Sequence, residues 1–338
     1  MNSVFHASGE KVTSPAGKEA VKHETVPGIA PTKSVGESYV APVSRLADYA
    51  SLCKLRVTSM VVLTAWAGFY LAAKKNATPP FSLALLETLA GVGLVACGAS
   101  AMNQVLERTA DARMLRTRMR PIPAGRMGHG HATTVALLLA LAGTLLLALT
   151  TNVFTGALAL ATAASYCFIY TPLKKVGPIS TFVGAFPGAM PAVLGWTAVT
   201  GSLEWRALAL FAIVFFWQFP HFLAIAWLYR EDYERAGILM LPVIDESGRS
   251  TVRQILLYGA ALIPVSLSPF FLHMSGWIYF AGAIFLGAMY LWYGIRLARL
   301  RLPPTAAASK KEARELLQAS VIYLPLLLIL LMVTRTGE

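Results

Sequence analysis

Charge is what this sequence has least of. Only 14% of its 338 residues are Asp, Glu, Lys or Arg, against roughly 25% in an average soluble protein, which excludes an ordinary water-exposed surface. Cysteine is scarce as well. Cys53, Cys97 and Cys167 stand far apart with no CxxC and no paired spacing. That excludes a disulfide framework or a cysteine-built metal site and leaves them as small apolar packing residues. No internal repeat of solenoid period is visible, and no polar stretch is long enough to stand apart as a soluble domain. Residues 1–44 lack an apolar run that would serve a signal peptide, and their lysines are matched by glutamates, unlike an organelle transit peptide. Rich in Ser, Gly, Pro and Val, they read as a disordered tail.

Hydrophobic residues, by contrast, make up 56% of the chain. Apolar runs lie near 57–73, 83–102, 132–150, 153–171, 179–200, 207–229, 254–273, 276–296 and 316–334, each of a length that crosses ~30 Å of hydrocarbon as a helix. Unpaired backbone groups are intolerable in lipid, so such segments must be helical. The predicted fold is an all-α integral membrane domain over 45–338. Nine transmembrane helices surround a central cavity open to the cytoplasmic face. With the amino terminus inside, every Lys and Arg except Lys74, Lys75, Arg206 and Arg335 falls on inner segments. The positive-inside rule then places the carboxyl terminus outside, as in a multi-pass protein of a bacterial cell (inner) membrane. The net charge of +12 has this origin and is no nucleic-acid footprint. Residues 45–56, RLADYASLCKLR, predict an amphipathic helix lying at the interface.

Carboxylates in a membrane are costly, about 2.5–3.5 kcal/mol each at a helix centre on insertion scales, so those in or bordering a span point to function by default. Asn103, Glu107 and Asp111 follow the second run at spacings of four, which on one helix makes a single polar stripe roughly 12 Å long. Two carboxylates and an amide oxygen are hard ligands suited to magnesium, an ion usually shared with substrate phosphates. A stripe of that length matches a metal-bridged diphosphate. Arg113, Arg116, Arg118, Arg120 and Arg126 come next, in a loop broken by Pro121, Pro123 and Gly125. Arginine forks suit phosphate oxygens; enforcing topology against lipid headgroups is the plainer use.

A second acidic cluster, Glu231, Asp232 and Glu234 with Arg230 and Arg235, follows the sixth run at the same face. Two clusters on one face suggest a shared site; a solvated loop is the bland alternative. His221 lies about two turns earlier and is expected to face a large hydrophobic pocket lined by Phe215, Phe216, Trp217 and Phe222. Packing, contact with an iron, and hydrogen bonding to a substrate all remain open for it. The fourth run ends in Tyr170, Thr171, Pro172, Leu173, Lys174 and Lys175, whose lysines either meet diphosphate or anchor the span. In the fifth, Gly184 and Gly188 with Pro187 and Pro191 predict close packing and a bent helix.

NxxxExxxD followed by RTRMRPIPAG, then YTPLKK, then FWQFPHFLAIAWLYREDYERAGILMLPV, resembles the intramembrane aromatic prenyltransferase (UbiA-type) superfamily over about residues 46–334. Within it, the WQFPHF and DYERAGILMLPV runs are similar to the haem-farnesylating branch, the protohaem IX farnesyltransferases or haem o synthases. The middle acid is Glu107 where many members carry Asp, and YREDYER stands where quinone-type relatives have DxxxD. Both departures touch the metal geometry. The resemblance implies transfer of a farnesyl group from farnesyl diphosphate to a vinyl carbon of haem b, with water supplying the product's hydroxyl and diphosphate leaving. It implies Asn103, Glu107, Asp111 and Asp232 as magnesium–diphosphate ligands, and Arg113, Arg116, Arg120 and Lys174 on the diphosphate. Tyr170, His221 and Tyr233 complete the substrate-binding set. Besides membrane lipid, haem-handling or oxidase-assembly proteins are the partners it suggests. A prenyltransferase for a quinone precursor or chlorophyll-type ring is the nearest alternative. A transporter would place broken helices near the bilayer midplane, and a non-catalytic assembly factor would not need the metal stripe.

Overall fold

Apolar runs that cannot leave backbone groups unpaired become helices throughout this computed structural model, which describes residues 44–75 and 79–336. The tail expected over 1–44 falls, up to residue 43, outside the described residues. Among these, nine helices are long and apolar enough to cross a membrane. They are α1 (Leu55–Lys75), α2 (Leu83–Leu106), α3 (His129–Thr150), α4 (Val153–Leu173), α5 (Ile179–Thr200), α6 (Trp205–Leu228), α7 (Arg249–Phe271), α8 (Trp277–Leu300) and α9 (Ala307–Val333). The chain is a multi-pass membrane protein. Each helix packs on the next, and α9 touches α1, so the nine close a circuit; α1 against α5 and α6 against α9 brace it across.

The bracing of α1 on α5 depends on small residues. A Cβ at Gly195 would collide with the Ala65 carbonyl, and one at Gly68 with the Ala192 carbonyl. The two backbones therefore touch, the form of packing that stands in for hydrophobic drive between helices in lipid. Trp196, Trp227, Tyr279, Tyr290 and Tyr323 fill the main core between α5 and α9. Three of their polar tips turn to partners: Tyr279 Oη to Ser266 O at 2.7 Å, Trp227 Nε1 to Ser309 Oγ at 3.2 Å and Tyr323 Oη to Ser266 Oγ at 2.7 Å.

Three elements differ from expectation. α9 begins at Ala307, well before 316, because its polar first turns are held from α8: Arg296 pairs with Glu312 at 2.8 Å and Glu315 at 2.7 Å. α4 runs into a π-helical turn, Ser165–Tyr170, and a last short piece, Thr171–Leu173. The interfacial helix stops at Leu52, and the chain turns through Lys54 with φ of 48° before α1. That helix is docked: Asp48 and Leu52 are its buried residues. Arg126 grips the Asp48 carboxylate through Nε at 3.0 Å and NH2 at 2.8 Å, while Gln104 Nε2 donates to the Ser51 and Leu52 carbonyls at 2.7 and 2.9 Å.

Candidate active site

The polar stripe after α2 survives, though not on one helix. α2 ends at Leu106 and a short helix, Arg108–Arg113, follows, with Glu107 at the joint. The bonds from Glu107 N to Asn103 O at 2.9 Å and from Asp111 N to Glu107 O at 2.8 Å keep helical spacing across the joint, so all three side chains stay together. All are buried: Asn103 and Asp111 fully, Glu107 to 8% exposure.

Each residue of the stripe meets a cation from another part of the chain. Asn103 Oδ1 accepts from Lys54 Nζ at 2.6 Å, and its amide nitrogen donates to Thr171 Oγ1 at 3.1 Å. Glu107 pairs with Lys174 at 2.7 Å, and both Asp111 oxygens accept from Arg120 NH1, at 2.8 and 2.7 Å. Burial works against Glu107's charge, but Lys174 and Lys54 outweigh it and hold the carboxyl below the usual range. Burial, with Arg120 nearby, pushes the Lys54 ammonium down to about 7 against the pull of Glu107 and Asp111. Lys174 is raised in turn: burial opposes its charge, and Tyr170 and Glu107 overcome that. The lysine also sits over the Tyr170 ring, 4.6 Å from its centroid. A cavity of about 280 Å³ opens here, lined by Glu107, Thr171 and Lys174 on its polar side and by Leu106, Phe168 and Ile238 on its apolar side.

Of the arginine loop, Arg120 reaches the stripe, while Arg113, Arg116 and Arg118 remain exposed and Arg126 is spent on the interfacial helix. The second acidic cluster divides. Glu231 bonds Lys310 at 2.7 Å and Glu234 bonds Arg230 at 3.4 Å, on the periphery. Asp232, 7% exposed, turns inward, where it accepts from the amides of Leu115 at 3.1 Å and Arg116 at 3.2 Å and pairs with Arg235. It thus holds the loop that carries the arginines, and Arg116 stacks over Tyr229 at 4.9 Å. Tyr233 packs beside the buried Ala110, Met114 and Ile238. Leu239 N donates to Lys174 O at 2.8 Å, which ties the segment after Gly237 to the end of α4. Among the described residues no three His, Cys, Asp or Glu side chains lie together as a metal cluster.

His221 stands apart from the stripe. Its ring stacks on Trp217 with centroids 4.8 Å apart, and Nδ1 meets Ser320 Oγ at 2.7 Å. Phe222 is beside it, but Phe215 and Phe216 pack elsewhere, Phe215 on Phe186 and Phe216 on Tyr258. The aromatic pocket expected around His221 is therefore split between two faces of α6, because successive residues point about 100° apart.

Lys54 and Thr171 were missed from the sequence. Lys54 is separated from Asn103 by a whole span, and its place depends on the turn after the interfacial helix. Thr171 reads as one more polar residue at a helix end until the π turn aims it at Asn103.

The sequence model of the UbiA prenyltransferase family matches residues 61–331. A protein of Koribacter versatilis (strain Ellin345), named protoheme IX farnesyltransferase, is 53% identical over 293 residues, covering 87% of this chain and 94% of its own. One of the same name from Solibacter usitatus (strain Ellin6076) is 45% identical over 299 residues, covering 86% and 99%. Among solved structures, a digeranylgeranylglyceryl phosphate synthase superposes with a TM-score of 0.67 at 16% identity, over 86% of this chain and 98% of that one. A UbiA homolog from Archaeoglobus fulgidus bound to DMAPP and Mg2+ gives 0.60 at 16% identity, over 82% and 98%. At such identities these structures establish the fold.

Proposed function

This chain belongs to the UbiA prenyltransferase family, and from that premise we propose that it transfers a farnesyl group from farnesyl diphosphate to the vinyl group of haem b. The products are haem o and diphosphate. The acceptor follows from the relatives at 45–53% identity, which are named for it. Three buried cation–oxygen pairs at one end of the helices, Lys54–Asn103, Lys174–Glu107 and Arg120–Asp111, carry the reading. They form a site of alternating charge that takes an anion and its counterion together.

The donor set fits magnesium. Asn103, Glu107 and Asp111 offer hard oxygens, and with so few protein ligands in reach such an ion is shared with the diphosphate. When bound, it neutralises charge that builds on the leaving diphosphate. Lys54, Lys174 and Arg120 swing from the stripe to phosphate oxygens, joined by Arg113 and Arg116 from the loop. Asp232 closes the site from the opposite side through that loop. Tyr170, under the Lys174 ammonium, and Tyr233, beside Ile238, stand next to the cavity, whose apolar wall keeps water from the allyl-cation-like carbon. His221 is assigned to haem. Ser320 Oγ donates to Leu317 O at 2.5 Å and so accepts from Nδ1–H, leaving Nε2 for iron or a polar porphyrin group. The site faces the cytoplasm of a bacterial inner membrane, on the charge asymmetry of the inner loops, and haem-handling or oxidase-assembly proteins are its natural neighbours.

The purified protein, in detergent or lipid with haem b, farnesyl diphosphate and magnesium, is expected to yield haem o by mass spectrometry of extracted haem, and none after chelation. Prenylation of a quinone precursor with no modified haem would keep the family and overturn the acceptor.

A further inference from the structure

Gln218 is a polar group inside α6 that the reaction above leaves unused. It is 2% exposed and flanked by Phe215 and Phe219. Its amide nitrogen donates to the Ala185 and Val214 carbonyls, both at 3.1 Å, which occupies both N–H bonds and fixes the amide plane. The amide oxygen is thereby left as an acceptor without a donor among the described residues. It packs against Gly188, where a Cβ would collide with it.

The space at Gly188 lies on the side of α5 that faces α1: Gly195, seven residues further on and so on the same face, meets the Ala65 carbonyl of α1. Gly188 itself is accessible. On the same face, one turn toward the inner end, Gly184 receives the Tyr170 ring, over which Lys174 Nζ stands at 4.6 Å. The Gln218 oxygen therefore lies roughly 6 Å, one helical turn, deeper than the ring beneath the diphosphate-binding lysine.

Resting on the farnesyl-transfer reading, we infer that Gln218 is a positioning residue whose amide oxygen holds the water that becomes the hydroxyl of the product. The vinyl π pair forms the bond to farnesyl C1 as the C1–O bond breaks and diphosphate leaves with its electron pair. Positive charge then rests on the vinyl carbon next to the porphyrin ring. The water oxygen bonds to that carbon, and its proton passes to the departing diphosphate. An amide is too weak a base to take the proton, so Gln218 sets the water's place and nothing more. Without a held water, the carbon next to the charge loses a proton and the product is an alkene lighter by one water.

The test is Gln218→Met in the full-length protein, assayed with haem b, farnesyl diphosphate and magnesium, with both products measured by mass spectrometry. The ratio of anhydro product to haem o is expected to rise about tenfold or more, as a change of about 1.4 kcal/mol between competing steps produces. A merely structural role lowers both products together. Gly188→Ala displaces the amide oxygen with Gln218 in place and is expected to shift the ratio in the same direction. If Gln218→Met yields no product, Gly188→Ala decides. An unmoved ratio in the variants that turn over, beside a wild type that makes haem o, overturns the inference alone. A wild type that makes no farnesylated haem overturns both it and the reading beneath it.

Discussion

Glu107 and Lys174 meet at 2.7 Å with side chains only 10% and 14% exposed, so each is the other's main compensation for leaving water. Removing one partner of such a pair costs about 3–5 kcal/mol, since the remaining charge stays buried alone. Lys174→Met is accordingly expected to lower the unfolding temperature in detergent and abolish turnover. The double variant Lys174→Met with Glu107→Gln is expected to recover most of the stability and none of the activity. Recovery of both would make the pair structural. Asp111→Asn tests the stripe more gently, since the amide keeps the size of the side chain and an oxygen for Arg120. Turnover is expected to fall about 100-fold or more, the scale of losing one charge-stabilising group at a reacting centre, with a smaller loss of thermal stability than in Lys174→Met, because Arg120 keeps 20% of its side chain in solvent. Wild-type turnover in that variant would remove Asp111 from the site. The stripe itself was legible in sequence because helical spacing is local. Lys54 was not, because the contact that gives it a role joins residues 54 and 103 through the fold.

At the level of elements, the crossing of α1 and α5 is set by glycines facing carbonyls. Gly195→Val would drive a side chain into the Ala65 carbonyl, where backbone and not a flexible tip must give way. The variant is expected to lose folded protein on detergent extraction, while Gly128→Ala, whose Cβ meets nothing within 4 Å, keeps it. The sequence reading picked out Gly184 and Gly188 for packing between helices. Each does receive a side chain from another helix, the Tyr170 ring at Gly184 and the Gln218 amide at Gly188. Direct contact between backbones is made at Gly68 and Gly195, whose spacing in sequence carries no motif. The π turn at Ser165–Tyr170 was also illegible. Its residues are ordinary helix formers in lipid, and the extra residue per turn shows only once Tyr170 and Thr171 are aimed at Gly184 and Asn103.

For the whole molecule, the inner ends of α1, α2, α4, α6 and α9 must share one face, since successive spans alternate in direction. The polar contacts agree, with Lys54 and Asn103, Lys174 and Glu107, and Lys310 and Glu231 each joining two of these ends. A reporter enzyme that is active only outside the cytoplasm, fused after Glu338, is expected to be active, and fused after Arg235 inactive. The opposite pattern would invert the proposed orientation while leaving the fold untouched. The sequence by itself determined the nine spans and set the Asn103, Glu107 and Asp111 stripe at the end of one of them. Hydrocarbon length, backbone pairing and helical spacing act along the chain and need no knowledge of what meets what. Only the tertiary structure decided which cation answers each acid, that Asp232 grips the arginine loop by its amides, and that His221 and Gln218 turn to different helices. Those outcomes depend on contacts between residues tens of positions apart, where burial makes an unpaired charge too costly to leave and the nearest partner in space is rarely the nearest in sequence.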